Sequence, residues 1–251
     1  MTENPIDPRT AGHQAWRDLA FVHWRVPVAA LRPHVPAWLE VDTDAGDAWI
    51  GVVPFSMERV RPWWSPPVPG VSWFLETNVR TYVVDPRTGE RGVWFFSLDA
   101  TKRLAVRVAR ALWHLPYFRA RLELAVEPGG ARGADVRAVT YRGARVGDAR
   151  AEYALRAELG DGPARPAPPD TLEHFLVERY LLFTEKRDGT RWRGRVHHEP
   201  YALRDVASCE VRQSLTGAAG VPIEPDRAPD HVAFSPGVDV RVAPLRRLPE
   251  R

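Results

Sequence analysis

Between Trp73 and Ala100 the sequence runs WFLETNVRTYVVDPRTGERGVWFFSLDA, and its period is two. Phe74, Glu76, Asn78, Arg80 and Tyr82 alternate with Leu75, Thr77, Val79, Thr81 and Val83. Successive side chains of a strand point to opposite faces, so one face carries an acid, an amide, a guanidinium and a phenol in a row. The other face is β-branched and apolar, which suits a sheet packed on a core. Asp85-Pro86-Arg87-Thr88-Gly89 supplies turn chemistry, and Gly92 to Leu98 returns as an aromatic strand. A hairpin built only for packing needs no ordered polar row opposite its apolar face. The row is either the lining of a polar site or a solvated surface with cross-strand ion pairs, and the pattern alone allows both.

The same period recurs along the chain. Trp16 to Arg25 and Ala48 to Val60 read as strands, with Pro54 marking an edge position or a bulge in the second. Tyr117 to Val126, Val136 to Tyr141, Ala151 to Leu159, Arg179 to Thr184, Arg191 to His198, Val206 to Leu215 and Val238 to Val242 are further strand candidates. Helical signals are short: Val28 to Leu31 after Pro27, a 3.6-residue stripe over Lys102 to Trp113, and a turn through Leu176 capped by Asp170 with Glu173. Gly160 to Pro169 reads as a long surface loop, and Arg61 to Gly70 as a proline-rich loop displaying Trp63 and Trp64. The expectation is a mainly β (α+β) single domain over residues 1–251, with its core over about 13–245 and a mobile N-terminal arm and C-terminal tail.

Composition narrows function more than fold. Cys209 is the one cysteine, so neither an intrachain disulfide nor a cysteine metal cluster can form. No run of about 18 apolar residues is available to span a membrane, and MTENPIDPRTAGHQ lacks the basic and apolar regions of a secretion signal. A cytoplasmic protein is expected. The net charge is +3, and of 35 basic residues only Lys102 and Lys186 are lysines. The arginines are interleaved with acids rather than gathered into a nucleic-acid footprint, so the expected partner is a small molecule, with neither nucleic acid nor membrane.

Several segments, taken in order, carry a family resemblance: HWRVP (His23 to Pro27), GVVPFSM (Gly51 to Met57), ETNVRTYV (Glu76 to Val83), GVWFFSLDA (Gly92 to Ala100), LPYF (Leu115 to Phe118), LEHFLVERYLLFT (Leu172 to Thr184) and GRVHHEP (Gly194 to Pro200). Through them the chain resembles the YqjF-like bacterial proteins, a domain of unknown function in the acetoacetate decarboxylase-like superfamily. The resemblance implies an antiparallel β-barrel of the acetoacetate decarboxylase-like type, with a few flanking short helices and an enclosed cavity. It also implies that Glu76 falls where the decarboxylases keep a cavity glutamate. Those enzymes form a Schiff base from a lysine just after a Tyr-Pro. The similar stretch here, RALWHLPYF from Arg110 to Phe118, has Tyr117 and Phe118 at the two lysine positions. A phenol cannot replace an amine in imine formation, so decarboxylation by an iminium route is not expected. Tyr201 stands where the family pattern has tryptophan.

The candidate site is therefore Glu76 and His198 as acid and base, with Asn78, Arg80 and Tyr117 binding the ligand. His197 and His198 point oppositely if both lie on a strand: His197 falls in phase with Arg191, Arg193 and Arg195, and His198 with Trp192, Gly194 and Val196. His198 is the interior one and titrates near neutrality; the alternative for it is a core histidine bonded to a backbone carbonyl. Adjacent strand histidines diverge and chelate one ion poorly, so no metal site and no cofactor are expected. His23 sits in a strand beside Trp24 and calls for no functional reading. Ser97, Asp99 and His198 lack the Gly-x-Ser-x-Gly elbow of a hydrolase triad. The expected function is a barrel that binds a carbonyl-bearing organic acid, either turning it over by lysine-independent acid/base chemistry or holding it as a sensor. A third reading makes the Trp63–Trp64 loop a protein-interaction surface.

Overall fold

The strand that carries the polar row, β4 (Phe74–Asp85), has neighbours on both sides in the computed structural model, which describes residues 10–102, 114–129 and 135–249. β3 (Ala48–Pro62) pairs with it on one edge and β5 (Glu90–Ala100) on the other, both antiparallel. Before them come β1 (Gly12–Val26), the single-turn α1 (Val28–Leu31) and the short β2 (Glu40–Val41). After them come β6 (Tyr117–Gly129), β7 (Asp135–Arg145), β8 (Glu152–Leu159), α2 (Leu172–Val177), β9 (Leu181–Glu185) and β10 (Arg191–His197). β11 (Arg204–Gln213), α3 (Leu215–Ala218), β12 (His231–Val242) and β13 (Arg246–Arg247) complete the order.

The pairings close the sheet twice. β5, β6, β7, β8, β11, β12, β1, β3 and β4 return on themselves through the β4–β5 pairing, making a closed barrel of nine strands. β9 and β10 bridge β5 to β12 and close a smaller ring of seven that shares β1, β3, β4, β5 and β12. Those five strands form a wall with a core on each side, so alternation along them sorts residues between two interiors. Ala20, Val22, Ile50, Val52 and Val79 pack into the larger ring with Tyr141, Tyr153 and Leu155. Phe21, Val53, Phe55, Phe74, Tyr82 and Leu98 pack into the smaller one, beneath Phe175 and Leu176 of α2. Within the larger ring, Thr77 Oγ1 and Tyr153 Oη hydrogen bond at 2.6 Å, and Arg145 pairs with Asp99 at 3.0 Å in a buried ion pair.

The barrel is antiparallel except at β5. Its start pairs in parallel with β9 at Val93 and Trp94, and its end in parallel with β6 from Leu98 to Ala100. Among the described residues, 95–97 have no strand on that side. A cleft of about 1060 Å³ opens there, lined by Phe95, His114, Tyr117, Thr184 and Lys186 among others.

Several local expectations change. Of the two readings of Pro54, the bulge holds and the edge does not: β3 lies between β1 and β4, and Pro54 falls inside the register shift of the β1–β3 ladder. Thr171, not Asp170, caps α2, accepting from the His174 N–H at 3.2 Å, while Asp170 turns through positive φ. β12 begins at His231, seven residues before Val238, because the Pro236–Gly237 irregularity hides its first half in the sequence. The strand expected over Val206 to Leu215 ends at Gln213, and Leu215 opens α3 instead. The tail expected to be mobile is paired, with β13 against β10 and the Leu248 N–H on the Arg191 carbonyl at 2.9 Å. The helix expected over Lys102 to Trp113 lies outside the described residues apart from Lys102 itself, and residues 1–9 of the N-terminal arm lie outside them too. No helix among the described residues is long and apolar enough to cross a membrane.

Candidate functional site

The polar row faces the smaller interior. Glu76, Asn78 and Arg80 are 3%, 5% and 8% exposed, which removes the solvated-surface reading of the hairpin. Both faces of β4 are buried because it belongs to the shared wall, so the row had to point into one of two cores. Residues facing it from the flanking strands are apolar: Phe55 opposite Glu76, Val53 opposite Asn78 and Leu98 on the other side of Asn78.

Arg80 is the one cation of the row. Its Nη2 donates to the Leu176 carbonyl at 3.0 Å and, at 3.5 Å, to the Tyr82 hydroxyl, and its guanidinium lies 5.7 Å from the ring centres of both Phe21 and Tyr82. Nε is buried with no hydrogen-bond partner among the described residues. The other two deeply buried arginines each have a carboxylate, Arg145 with Asp99 and Arg179 with Asp42, at 3.0 Å in both cases. Among the described residues no carboxylate pairs with Arg80. Glu76, four residues away on the same face, bonds instead with Tyr117, whose hydroxyl donates to Oε2 at 3.0 Å. Burial pushes the Glu76 carboxyl up to about 8, against the Tyr117 hydrogen bond and with the charge of Asp99 behind it. At neutral pH it is a carboxylic acid.

His198 follows the last residue of β10 and is 3% exposed. Trp16, Tyr180 and Tyr201 surround its ring, with centroids 5.7, 4.7 and 4.6 Å away. Glu178 holds two members of that surround, accepting from the Tyr180 hydroxyl at 2.6 Å and the Tyr201 N–H at 2.9 Å. Trp16 also packs edge-on against Phe55, the strand neighbour of Glu76, which brings His198 to the level of the polar row. The His198 Nδ1 lies 2.8 Å from the Glu199 carbonyl, which only accepts, so Nδ1 carries the proton and Nε2 presents a bare lone pair. That Nε2 is buried without a hydrogen-bond partner among the described residues, as is Asn78 Oδ1. Burial pushes the imidazole down to about 4, with the charges of His197 and Arg80 adding to it against the Glu199 bond. The carbonyl-bonded alternative thus describes one edge of the ring and leaves the other open. His197 is half-buried rather than solvated, pairs with Arg241 of β12, and its Nδ1 is a buried atom without a hydrogen-bond partner among the described residues.

Sequence reasoning missed two groups here, His23 and His231, and the bonds that Tyr82 of the polar row makes beside them. His23 is fully buried, with Nε2 2.7 Å from the Tyr82 hydroxyl and Nδ1 3.1 Å from Nδ1 of His231. Tyr82 also donates to the Leu176 carbonyl at 2.7 Å. The available signal was phase: His23 is two residues after Phe21 and shares its face. Lys102 lies just past β5, and Lys186 lies over the Trp192 ring at 5.0 Å, lining the outer cleft.

A profile of the DUF2071 family, described as an uncharacterized conserved protein, matches residues 13–239. The uncharacterized protein YqjF of Bacillus subtilis (strain 168) is 36% identical over 234 residues, covering 93% of this chain and 91% of that one. An acetoacetate decarboxylase-like enzyme from Sphingomonas wittichii RW1 has the same fold at 14% identity and a TM-score of 0.66, over 98% of this chain and 95% of that one. The enduracididine biosynthesis enzyme MppR complexed with pyruvate has a TM-score of 0.65 at 13% identity, over 98% and 93% of the two chains. Acetoacetate decarboxylase from Legionella pneumophila gives 0.63 at 12% identity, over 99% and 92%.

Proposed function

The chain belongs to the DUF2071 family of YqjF-like proteins and has the acetoacetate decarboxylase-like fold, and we propose that its smaller interior binds a carbonyl-bearing organic acid and acts on it without a lysine. The observation that carries this reading is Arg80. A buried guanidinium without an anion is costly, while its planar fork matches a carboxylate. Asn78 lies next along the row to orient the remaining oxygens. Around the same interior stand a neutral acid, Glu76, and a neutral base, His198 Nε2. That pair fits enolisation. Glu76 gives its proton to the carbonyl oxygen as His198 takes one from the adjacent carbon, and the C–H electron pair becomes the C=C bond of the enol. Where the adjacent carbon bears a hydroxyl, a proton returned to the former carbonyl carbon while that hydroxyl loses its own proton to become the new carbonyl extends the step to isomerase chemistry, and departure of a β-substituent with its bonding pair extends it to lyase chemistry. Tyr117 holds the Glu76 carboxyl in place through Oε2. The pyruvate complex of MppR supports a small oxo acid as a ligand of this fold. A cytoplasmic setting for the protein belongs to the same proposal.

Titration calorimetry with pyruvate and 2-oxobutyrate, joined to proton NMR of their deuterium uptake from D2O, tests the reading. Wild type binds and accelerates exchange at the carbon beside the carbonyl. Arg80→Lys keeps the fold and loses about 2–5 kcal/mol of binding, because an ammonium cannot copy the bidentate fork. Equal affinity of the two proteins moves the carboxylate away from β4. Binding without exchange selects the non-catalytic sensor that uses the same interior.

A further inference from the structure

His231 and His23 lie on one register line along the wall, which reaches β4 at Arg80, two residues before Tyr82. His231 on β12 is the register partner of His23 on β1, His23 is the partner of Gly51 on β3, and Gly51 is the partner of Arg80 on β4. Gly51 makes the line continuous: a Cβ there would lie 2.6 Å from Cδ2 of His23, so any side chain would push the imidazole off its path to Tyr82. The result is a chain of titratable groups from a half-buried residue to the buried row, His231 Nδ1 to His23 Nδ1 at 3.1 Å, then His23 Nε2 to Tyr82 Oη at 2.7 Å.

We propose that His231, His23 and Tyr82 form a proton relay joining the surface to the Arg80 pocket. The relay rests on the proposed function for its destination, the oxygen of whatever acid Arg80 holds. Each step conserves protons. Solvent protonates His231 at Nε2, its Nδ1–H passes to Nδ1 of His23, and the Nε2–H of His23 passes to the Tyr82 oxygen as the phenol gives up its own proton. At rest the phenol donates to the Leu176 carbonyl, which also accepts from Arg80 and so keeps a partner when the phenol turns away. The direction of the resting chain is set from its inner end. With Tyr82 donating to Leu176, His23 must carry its proton on Nε2, and His231 must then donate from Nδ1. The groups acting on the pair come from every side: Tyr82 and Arg80 from β4, Glu173 from α2 toward His231, and Arg179 beyond α2 toward Tyr82. β3 contributes only Gly51. Burial and the charges of His231 and Arg80 hold His23 neutral, as a carrier that must not trap its proton requires.

The test needs no ligand. Protein labelled with 15N in histidine rings and 13C at tyrosine Cζ is titrated from pH 4.5 to 8.5, and the His231, His23 and Tyr82 resonances are followed. The expected result is one shared midpoint for all three. In His231→Gln the responses of His23 and Tyr82 at that midpoint vanish, and in Gly51→Ala His231 still titrates while Tyr82 no longer follows it. A Tyr82 resonance that stays fixed while His231 titrates overturns the relay, as does tracking that survives in His231→Gln. If Gly51→Ala does not fold, His231→Gln decides alone. Failure here leaves carboxylate binding at Arg80 untouched, since calorimetry reads that separately.

Discussion

Glu76 and His198 depart from their ordinary ranges in opposite directions for one cause, since burial penalises whichever form is charged. Between about 4 and about 8 the carboxyl keeps its proton and the imidazole lacks one. Exchange of the carbon-bound proton of 2-oxobutyrate should therefore rise through about pH 4, hold level, and fall as Glu76 ionises near pH 8. Glu76→Gln, which cannot give up a proton, should lower the plateau about 10²- to 10⁴-fold with binding retained. A profile still rising past pH 9 would remove Glu76 as the acid. Both residues are legible in the sequence, Glu76 as the acid of an ordered polar row and His198 as a histidine in phase with Trp192, Gly194 and Val196. The burial that reverses their usual protonation is not, because it comes from other parts of the chain: Phe55 opposite Glu76, and Trp16 and Tyr201 around His198. His23 was passed over for the same reason. Its partners, Gly51, Tyr82 and His231, become neighbours only through strand register.

At the scale of elements, alternation located β1, β3 to β11 and the second half of β12, since period two survives whichever core a face enters. What it leaves open is the side on which a polar row lies, and β4 is the case in point. Its second face, read as simply apolar, holds Thr77 and Thr81, whose hydroxyls bond to Tyr153 at 2.6 Å and to the Trp49 carbonyl at 2.8 Å. The Thr77 contact ties β4 to β8 across the larger interior. Tyr153→Phe should leave that threonine hydroxyl buried and unpaired, at a cost of about 1–3 kcal/mol in urea unfolding. Thr77→Val combined with Tyr153→Phe should recover most of the loss, because two apolar groups replace the pair. Additive losses in the double variant would mean that the hydroxyls contribute independently.

For the whole molecule, the shared wall leads us to propose that both interiors unfold in one transition, since neither ring can open without exposing strands of the other. Its midpoint should carry the pH signature of the buried groups. Glu76 binds its proton more tightly folded than unfolded, so between about 4.5 and 8 its contribution makes stability fall as pH rises. His198 binds its proton less tightly folded, so between about 4 and 6.5 its contribution makes stability rise with pH. The two oppose below pH 6.5, and above it only Glu76 of this pair still titrates. The melting temperature should then fall from pH 6.5 to 8, by at most about 1.4 kcal/mol per pH unit in free energy, and Glu76→Gln should flatten that limb. An identical slope in the variant would assign it elsewhere.

The place where β5 changes neighbours, between its pairing with β9 and its pairing with β6, bears on traffic rather than stability. A closed ladder admits a solute only by breaking hydrogen bonds, but across 95–97 the described strands have none to break on that side. Tyr117 stands at this seam, lining the outer cleft while its hydroxyl rests on Glu76 inside. One phenol thus touches both the outer cleft and the acid. Residues on the rim can then vary to select what enters, while the chemistry behind them stays the same.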